Sequence, residues 1–172
     1  MFVATEGVEP PAGFADRVRI ERVQRVALRP KDPRFGSLVH LILKDVDFTA
    51  PPNAVIRLAQ IHARLLNAPA EEIQSAAQAV TSALKHPLLE RARKAKRCHR
   101  ELPILLKDDP LGILDAVIDL AFLEDKTWTI VDFKTDVDDA QRTPKYRRQV
   151  GWYLHGIQQT TGAPAQGYLL HL

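Results

Sequence analysis

The sequence predicts an α/β fold, a mixed sheet flanked by helices, in which the amino-terminal half of the chain is helical. Three observations carry this expectation. From about residue 35 to 96, apolar residues recur at intervals of three and four between helix-start signals. From Cys98 the pattern changes to alternation, and the runs LDAVIDLAFLED and WTIVDFKT are separated by a short turn. One more helix-length segment and the strand-like run QGYLLHL then close the chain, giving helices, three strands, a helix and a strand.

In order, residues 1–33 are rich in Pro, Gly and alternating charge and read as a lead-in, with one short strand around Arg17 to Ala27. A first helix is expected after the Pro33 turn, from Phe35 to about Asp45, with Leu38, Leu41 and Ile42 on one face. FTAPPN breaks it. Asn53 is expected to cap a second helix whose apolar positions are Val55, Leu58, Ile61, Leu65 and Leu66. Pro69 in a first turn, followed by Glu71 and Glu72, starts a third helix to about Lys85. A short basic helix runs from Pro87 to about Lys96.

HRELPILLK then reads as a strand, with Pro103 marking an edge or a bulge. The two alternating runs that follow form a hairpin, a long helix extends from Asp139 or Thr143 to Thr160, and TGAP ends it.

At 172 residues, with 45% hydrophobic and 26% charged residues, the chain is one globular domain in size and in composition. No apolar run approaches the ~20 residues of a membrane span, and the first twenty residues lack a basic segment leading into an apolar one. The lone Cys98 excludes an internal disulfide or a four-cysteine cluster, and a cytoplasmic setting is expected. There is no GxxxxGK[ST] phosphate loop and no nucleophile-elbow glycine pattern. The net charge of +3 says little, but six Lys or Arg residues crowd positions 90–100 and four more lie in RTPKYRR at 142–148. Either run could face phosphates, although a charge run by itself is more often a solvated face.

The hairpin carries the chemistry. Asp119 stands among Val117, Ile118, Leu120 and Ala121, and Asp132 follows Ile130 and Val131. Lys134, two residues on, points to the same strand face as Asp132. Charge embedded in apolar strands is costly unless partners or a metal compensate it. A hard divalent cation is one such partner: two carboxylates can hold it while a phosphate oxygen and a water take its open positions. A lysine beside it can orient or deprotonate the water, or stabilise charge on the phosphate. Asp-x-Lys alone is more often an ordinary ion pair, and the preceding strand with its own aspartate shifts that balance. Gln149 and Tyr153, four apart, share a helix face; as isolated residues they would read as a surface glutamine and a half-buried core tyrosine. His62, His86, His99, His155 and His171 have no metal-like spacing, and Trp128 and Trp152 are expected in or at the edge of the core.

Five segments in order, GSLVH at 36–40, ELP at 101–103, VIDLAF at 117–122, IVDFKTD at 130–136 and QVGWY at 149–153, resemble the RecB-type nuclease domains of the PD-(D/E)xK superfamily. Such domains are found at the carboxyl ends of AddA- and RecB-like helicase-nucleases. The resemblance spans about residues 34–172, taken as the nuclease domain after the lead-in 1–33. It implies a restriction-endonuclease-like fold, with His40, Asp119 and Asp132 as metal ligands and Lys134 as the catalytic lysine. Glu101 would support the metal or its water shell, and Gln149 and Tyr153 would contact DNA or organise the site. Arg147 and Arg148, beside that motif, are expected to bind DNA. The function implied is a Mg²⁺- or Mn²⁺-dependent, exonuclease-like deoxyribonuclease of DNA repair or recombination. It would act on single-stranded DNA with a helicase in the same polypeptide or complex, and without a membrane. Iron–sulfur clusters of some relatives need four cysteines and are not expected here. The alternative is a catalytically silent nuclease fold that binds DNA or serves as a scaffold in a repair complex.

Overall fold

The computed structural model describes residues 8–24, 30, 32–108, 112–136 and 141–172. A 3₁₀ turn at Ala15–Arg17 leads into β1 (Val18–Arg22). Four helices follow: α1 (Pro33–Asp45), α2 (Pro52–Leu66), α3 (Ala70–Ala83) and α4 (Pro87–Lys94). Then come β2 (Arg97–Asp108), β3 (Gly112–Glu124), β4 (Thr127–Lys134), α5 (Thr143–Thr161) and β5 (Ala165–His171). The strands form one sheet in the order β1-β5-β4-β3-β2. The expected α/β class, with its helical first half, is borne out.

The sheet is mixed for a reason visible in its hydrogen bonds. β2, β3 and β4 form an antiparallel meander. The Trp128 amide donates to the Pro164 carbonyl at the start of β4 and β5, and the Leu172 amide donates to the Lys134 carbonyl at their ends. Starts pair with starts and ends with ends, so β4 and β5 run parallel, and α5 is the crossover such a pair requires. Asp125 and Lys126 connect β3 to β4 with φ of 45° and 65°. Positive φ at both central residues is the geometry of a two-residue hairpin turn whose twist matches the strands.

By contacts the chain divides into two compact units, Met1–Glu21 with Ala95–Asp132 and Asp138–Leu170, and Arg22–Lys94 with Phe133–Val137 and His171–Leu172. The first has a core in which Val150, Tyr153, Leu154 and Ile157 of α5 pack with Ala121, Ile130 and Leu169 of the sheet. β5 and α5 approach closely at Gly167, where an added Cβ would stand 2.6 Å from a Val150 methyl. Trp128 and Trp152 are both buried, as expected, and the Trp152 indole donates to the Val8 carbonyl at 2.9 Å.

In the second unit α1, α2 and α3 pack on one another. Arg34, in the first turn of α1, forms a two-pronged ion pair with the buried Glu72 of α3, through Nε at 2.9 Å and a terminal nitrogen at 2.8 Å. The sequence marks Glu72 only as helix-start charge, and this tie between helices is not legible in it.

Several local expectations are corrected. Asn53 lies inside α2 rather than capping it; Pro51 holds the cap position, and Pro52 supplies the preset first-turn φ. The buried face of α2 is Val55, Ala59, His62 and Ala63, while Ile61 and Leu65 are 56% and 74% exposed. Alanines face inward because small side chains let helices approach closely. Pro69 caps α3 from outside the helix, and α3 and α4 end at Ala83 and Lys94, short of Lys85 and Lys96. β1 stops at Arg22, and the part of the expected strand at residues 25–27 lies outside the described residues. Pro103 sits exposed on β2, the edge strand, as its missing amide proton requires.

Candidate active site

The strand registers set three carboxylates in a row. Arg100 pairs with Leu120 and Leu102 with Ile118, so Glu101 stands across β2–β3 from Asp119. The β3–β4 ladder runs as far as Leu120 and Val131, and Asp119 and Asp132 are the next residue along each strand. Glu101 and Asp119 offer oxygens within 4.8 Å of one another. Asp132 is only 3% exposed. Like charges directly opposite one another weaken a sheet, and carboxylates gathered in this way are a donor set that a divalent cation could occupy.

The backbone is reshaped where the row crosses it. In the half of β3 nearest the turn, the residues that join the α5 core are odd-numbered, Ala121 and Leu123. Further along the strand they are even-numbered: Leu114, Ala116 and Ile118. The alternation therefore slips by one between Ile118 and Ala121, at Asp119 and Leu120. Opposite that point Glu101 has φ of 48°, a left-handed conformation uncommon for any residue but glycine. Local departures of this kind re-aim side chains and gather at functional sites. Here the slip takes Asp119 out of strict inward–outward alternation.

Helix α5 brings Gln149 and Tyr153 to the same acids. The Gln149 side-chain amide donates to the Tyr153 hydroxyl at 2.5 Å. Burial pushes the Tyr153 phenol well above its usual range, and the charges of Asp132, Asp119 and Glu101 push the same way; the Gln149 hydrogen bond opposes them. Tyr153 thus stays protonated and available as a donor beside three acids. The first unit on its own gathers Glu101, Asp119, Asp132, Gln149 and Tyr153.

The second unit holds the other two expected residues. Lys134, half-buried, ends β4 two residues after Asp132, on the strand alternation that gives both one face. His40, half-buried on α1, meets Phe133 edge-on with ring centroids 6.3 Å apart. One turn earlier, Gly36 lies so close to Thr135 that an added Cβ would stand 2.8 Å from its hydroxyl oxygen. α1 is thereby pinned along the end of β4, with His40 against the residue between Asp132 and Lys134.

Arg147 and Arg148 are half-buried on α5, and a guanidinium nitrogen of Arg148 lies 3.4 Å from a Glu9 carboxylate oxygen. The remaining histidines have local surroundings: His62 lies 3.0 Å from Asp45, and His155 packs edge-on against Phe14 and Trp152. Burial pushes the Cys98 thiol up, against the smaller pull of Arg100, and so keeps it unreactive. Sequence reading gave Glu101 a supporting role from the resemblance alone; the register adds that it stands across β2–β3 from Asp119.

Comparison with known proteins agrees with this geometry. The chain is 26% identical over 113 residues to an ATP-dependent helicase/nuclease subunit of Staphylococcus haemolyticus, covering 54% of this chain and 9% of that protein. It is 26% identical over 136 residues to the Anoxybacillus flavithermus protein of the same name, covering 72% and 11%. For the Staphylococcus aureus protein the identity is 23% over 165 residues, covering 81% and 14%. The chain therefore spans about a tenth of the length of these relatives. The profile of the PD-(D/E)XK nuclease superfamily matches residues 14–172. The RecB-type resemblance read from five short segments is thus borne out, and the chain belongs to the PD-(D/E)XK nuclease superfamily.

Proposed function

We propose that this chain is a metal-dependent deoxyribonuclease module of DNA repair or recombination. It would hydrolyse phosphodiester bonds in an exonuclease-like manner, on single strands supplied by a helicase in the same polypeptide or complex. The observation that carries the reading is the row Glu101–Asp119–Asp132 beside Tyr153, with Lys134 two residues beyond the last acid.

The donor set fits a divalent cation. Asp119 and Asp132, supported by Glu101, would hold it through oxygen, and His40 would add a nitrogen. Carboxylate-dominated sites suit Mg²⁺ or Mn²⁺. When bound, the ion lowers the pKa of water and neutralises charge on the phosphate.

The chain's own groups supply the rest. The Lys134 ammonium orients the attacking water or stabilises the charge that develops on the non-bridging oxygens. The Tyr153 hydroxyl, kept protonated, donates a hydrogen bond to a phosphate oxygen, and the Gln149 amide fixes its direction. Water attacks phosphorus and the bond to the 3′-side oxygen breaks, leaving a 3′-hydroxyl and a 5′-phosphate.

Thermal unfolding with Mg²⁺, Mn²⁺ or EDTA, combined with analysis of product ends, tests this reading. A metal that binds only the folded state raises the midpoint; the rise is expected in the wild type, is expected to be lost in Asp119→Asn, and is expected to accompany 5′-phosphate products. A midpoint indifferent to both metals, or 3′-phosphate products, would contradict it.

A further inference from the structure

Helix α5 carries Lys145, Arg147 and Arg148, is preceded by Arg142, and contains no Asp or Glu across its 19 residues. Helical register separates these cations sharply. At about 100° per residue, Lys145 lies four residues before Gln149 and within about 40° of it. Arg142, seven residues before Gln149, lies within about 20° of the same line. Arg147 is about 160° away, on the opposite side of the helix, and Arg148 is about a quarter-turn off the line and near Glu9. Lys145 and Arg142 are both exposed.

We propose that Lys145 and Arg142 form a phosphate-binding track that carries the substrate backbone away from the acidic row along α5. The inference rests on the nuclease reading and adds the contacts that hold the flanking strand. Three carboxylates in a row repel a polyanion. A cation in their midst can neutralise the phosphate being cut, but the neighbouring phosphates need counter-charges of their own. Lys145 stands one turn, about 6 Å along the axis, from Gln149, and Arg142 one further turn out. Both lie on the line that Gln149 and Tyr153 extend to the acids. The track is made of phosphate contacts alone, so it is indifferent to base sequence.

The test measures binding of labelled single-stranded and duplex oligonucleotides to the Lys134→Ala protein with Mg²⁺, over a series of salt concentrations. Lys145→Gln and Arg142→Gln are each added to this protein, with Lys126→Gln, in the exposed β3–β4 turn, as the control. Each track variant is expected to lower the slope of log affinity against log salt by about 0.7 for single strands and about 0.9 for duplex, equally for oligonucleotides of different sequence. Lys126→Gln is expected to leave the slope unchanged. In proteins with Lys134 intact, Lys145→Gln is expected to raise KM with kcat held. Binding with an unchanged slope in both track variants, or an equal fall in Lys126→Gln, overturns the track and leaves the nuclease reading standing. A Lys134→Ala protein that binds no oligonucleotide overturns both.

Discussion

Glu101 and Asp119 face each other across the β2–β3 ladder with carboxylate oxygens within 4.8 Å of one another. Two negative charges so placed oppose the pairing of their own strands. With Asp132 as the next step, they concentrate charge where the backbone leaves regular alternation. The same carboxylates form a donor set that a divalent cation could occupy.

Glu101→Gln should therefore have opposite effects with and without metal. In EDTA the variant is expected to be as stable as the wild type or more so, by up to about 1 kcal/mol, because a like-charge pair is removed. With Mg²⁺ its gain in midpoint should be smaller than that of the wild type. Denaturant titration under the two conditions measures both, and equal gains with Mg²⁺ would count against Glu101 as a supporting ligand.

The Tyr153 phenol supplies a pH test. Its pKa is raised in the folded state above the usual 10.0, first by burial and then by the charge of Asp132. Below that usual value both states are protonated and the contribution to stability is level. Above it the unfolded chain releases the proton while the folded chain keeps it, so stability falls as pH rises. Urea midpoints at pH 9 and 11 should show a larger loss in the wild type than in Tyr153→Phe. At neutral pH that variant loses the Gln149 hydrogen bond, at a cost of about 0.5–1.5 kcal/mol. Parallel pH dependence in the two proteins would mean that Tyr153 is not held protonated.

Much of this was legible from the residues and some was not. Asp119, Asp132 and Lys134 were readable because charge at set intervals inside apolar strands demands an explanation that local sequence can frame. The long α5 and the order of the strands followed from periodicity and from Gly162 and Pro164. Asn53 misled because its capping chemistry is real, but the rigid Pro51–Pro52 pair starts α2 sooner. Ile61 and Leu65 misled because helical spacing alone does not show which of two apolar stripes is buried. The slip at Asp119 and the left-handed Glu101 were invisible, since no glycine or proline marks either position.

The β3–β4 turn shows the same limit and yields a third prediction. Asp125 and Lys126 both adopt positive φ without the Asn-Gly pair this turn favours. Replacing them together by Asn and Gly should stabilise the protein by up to about 1 kcal/mol, since a strained left-handed residue costs more than the added freedom of glycine in the unfolded chain. Chemical denaturation measures the change, and a destabilised variant would contradict the turn geometry.

Gly167→Ala tests how tightly α5 seats on β5. Its Cβ would stand 2.6 Å from a Val150 methyl and 3.3 Å from a Leu154 methyl, and overpacking of this kind costs about 1–3 kcal/mol. Because α5 also carries Gln149 and Tyr153, cleavage is expected to fall along with stability. An unchanged unfolding midpoint would show that the helix and strand are not in close contact.

Metal-dependent nuclease action at this site is tested most directly by cleavage of end-labelled single- and double-stranded DNA with Mg²⁺, Mn²⁺ or EDTA, by the wild type, Asp119→Ala and Lys134→Ala. Metal-dependent cutting by the wild type is expected, abolished by EDTA and by either substitution in a protein that remains folded. Cutting by Asp119→Ala or Lys134→Ala at the wild-type rate, or by the wild type in EDTA, would contradict it.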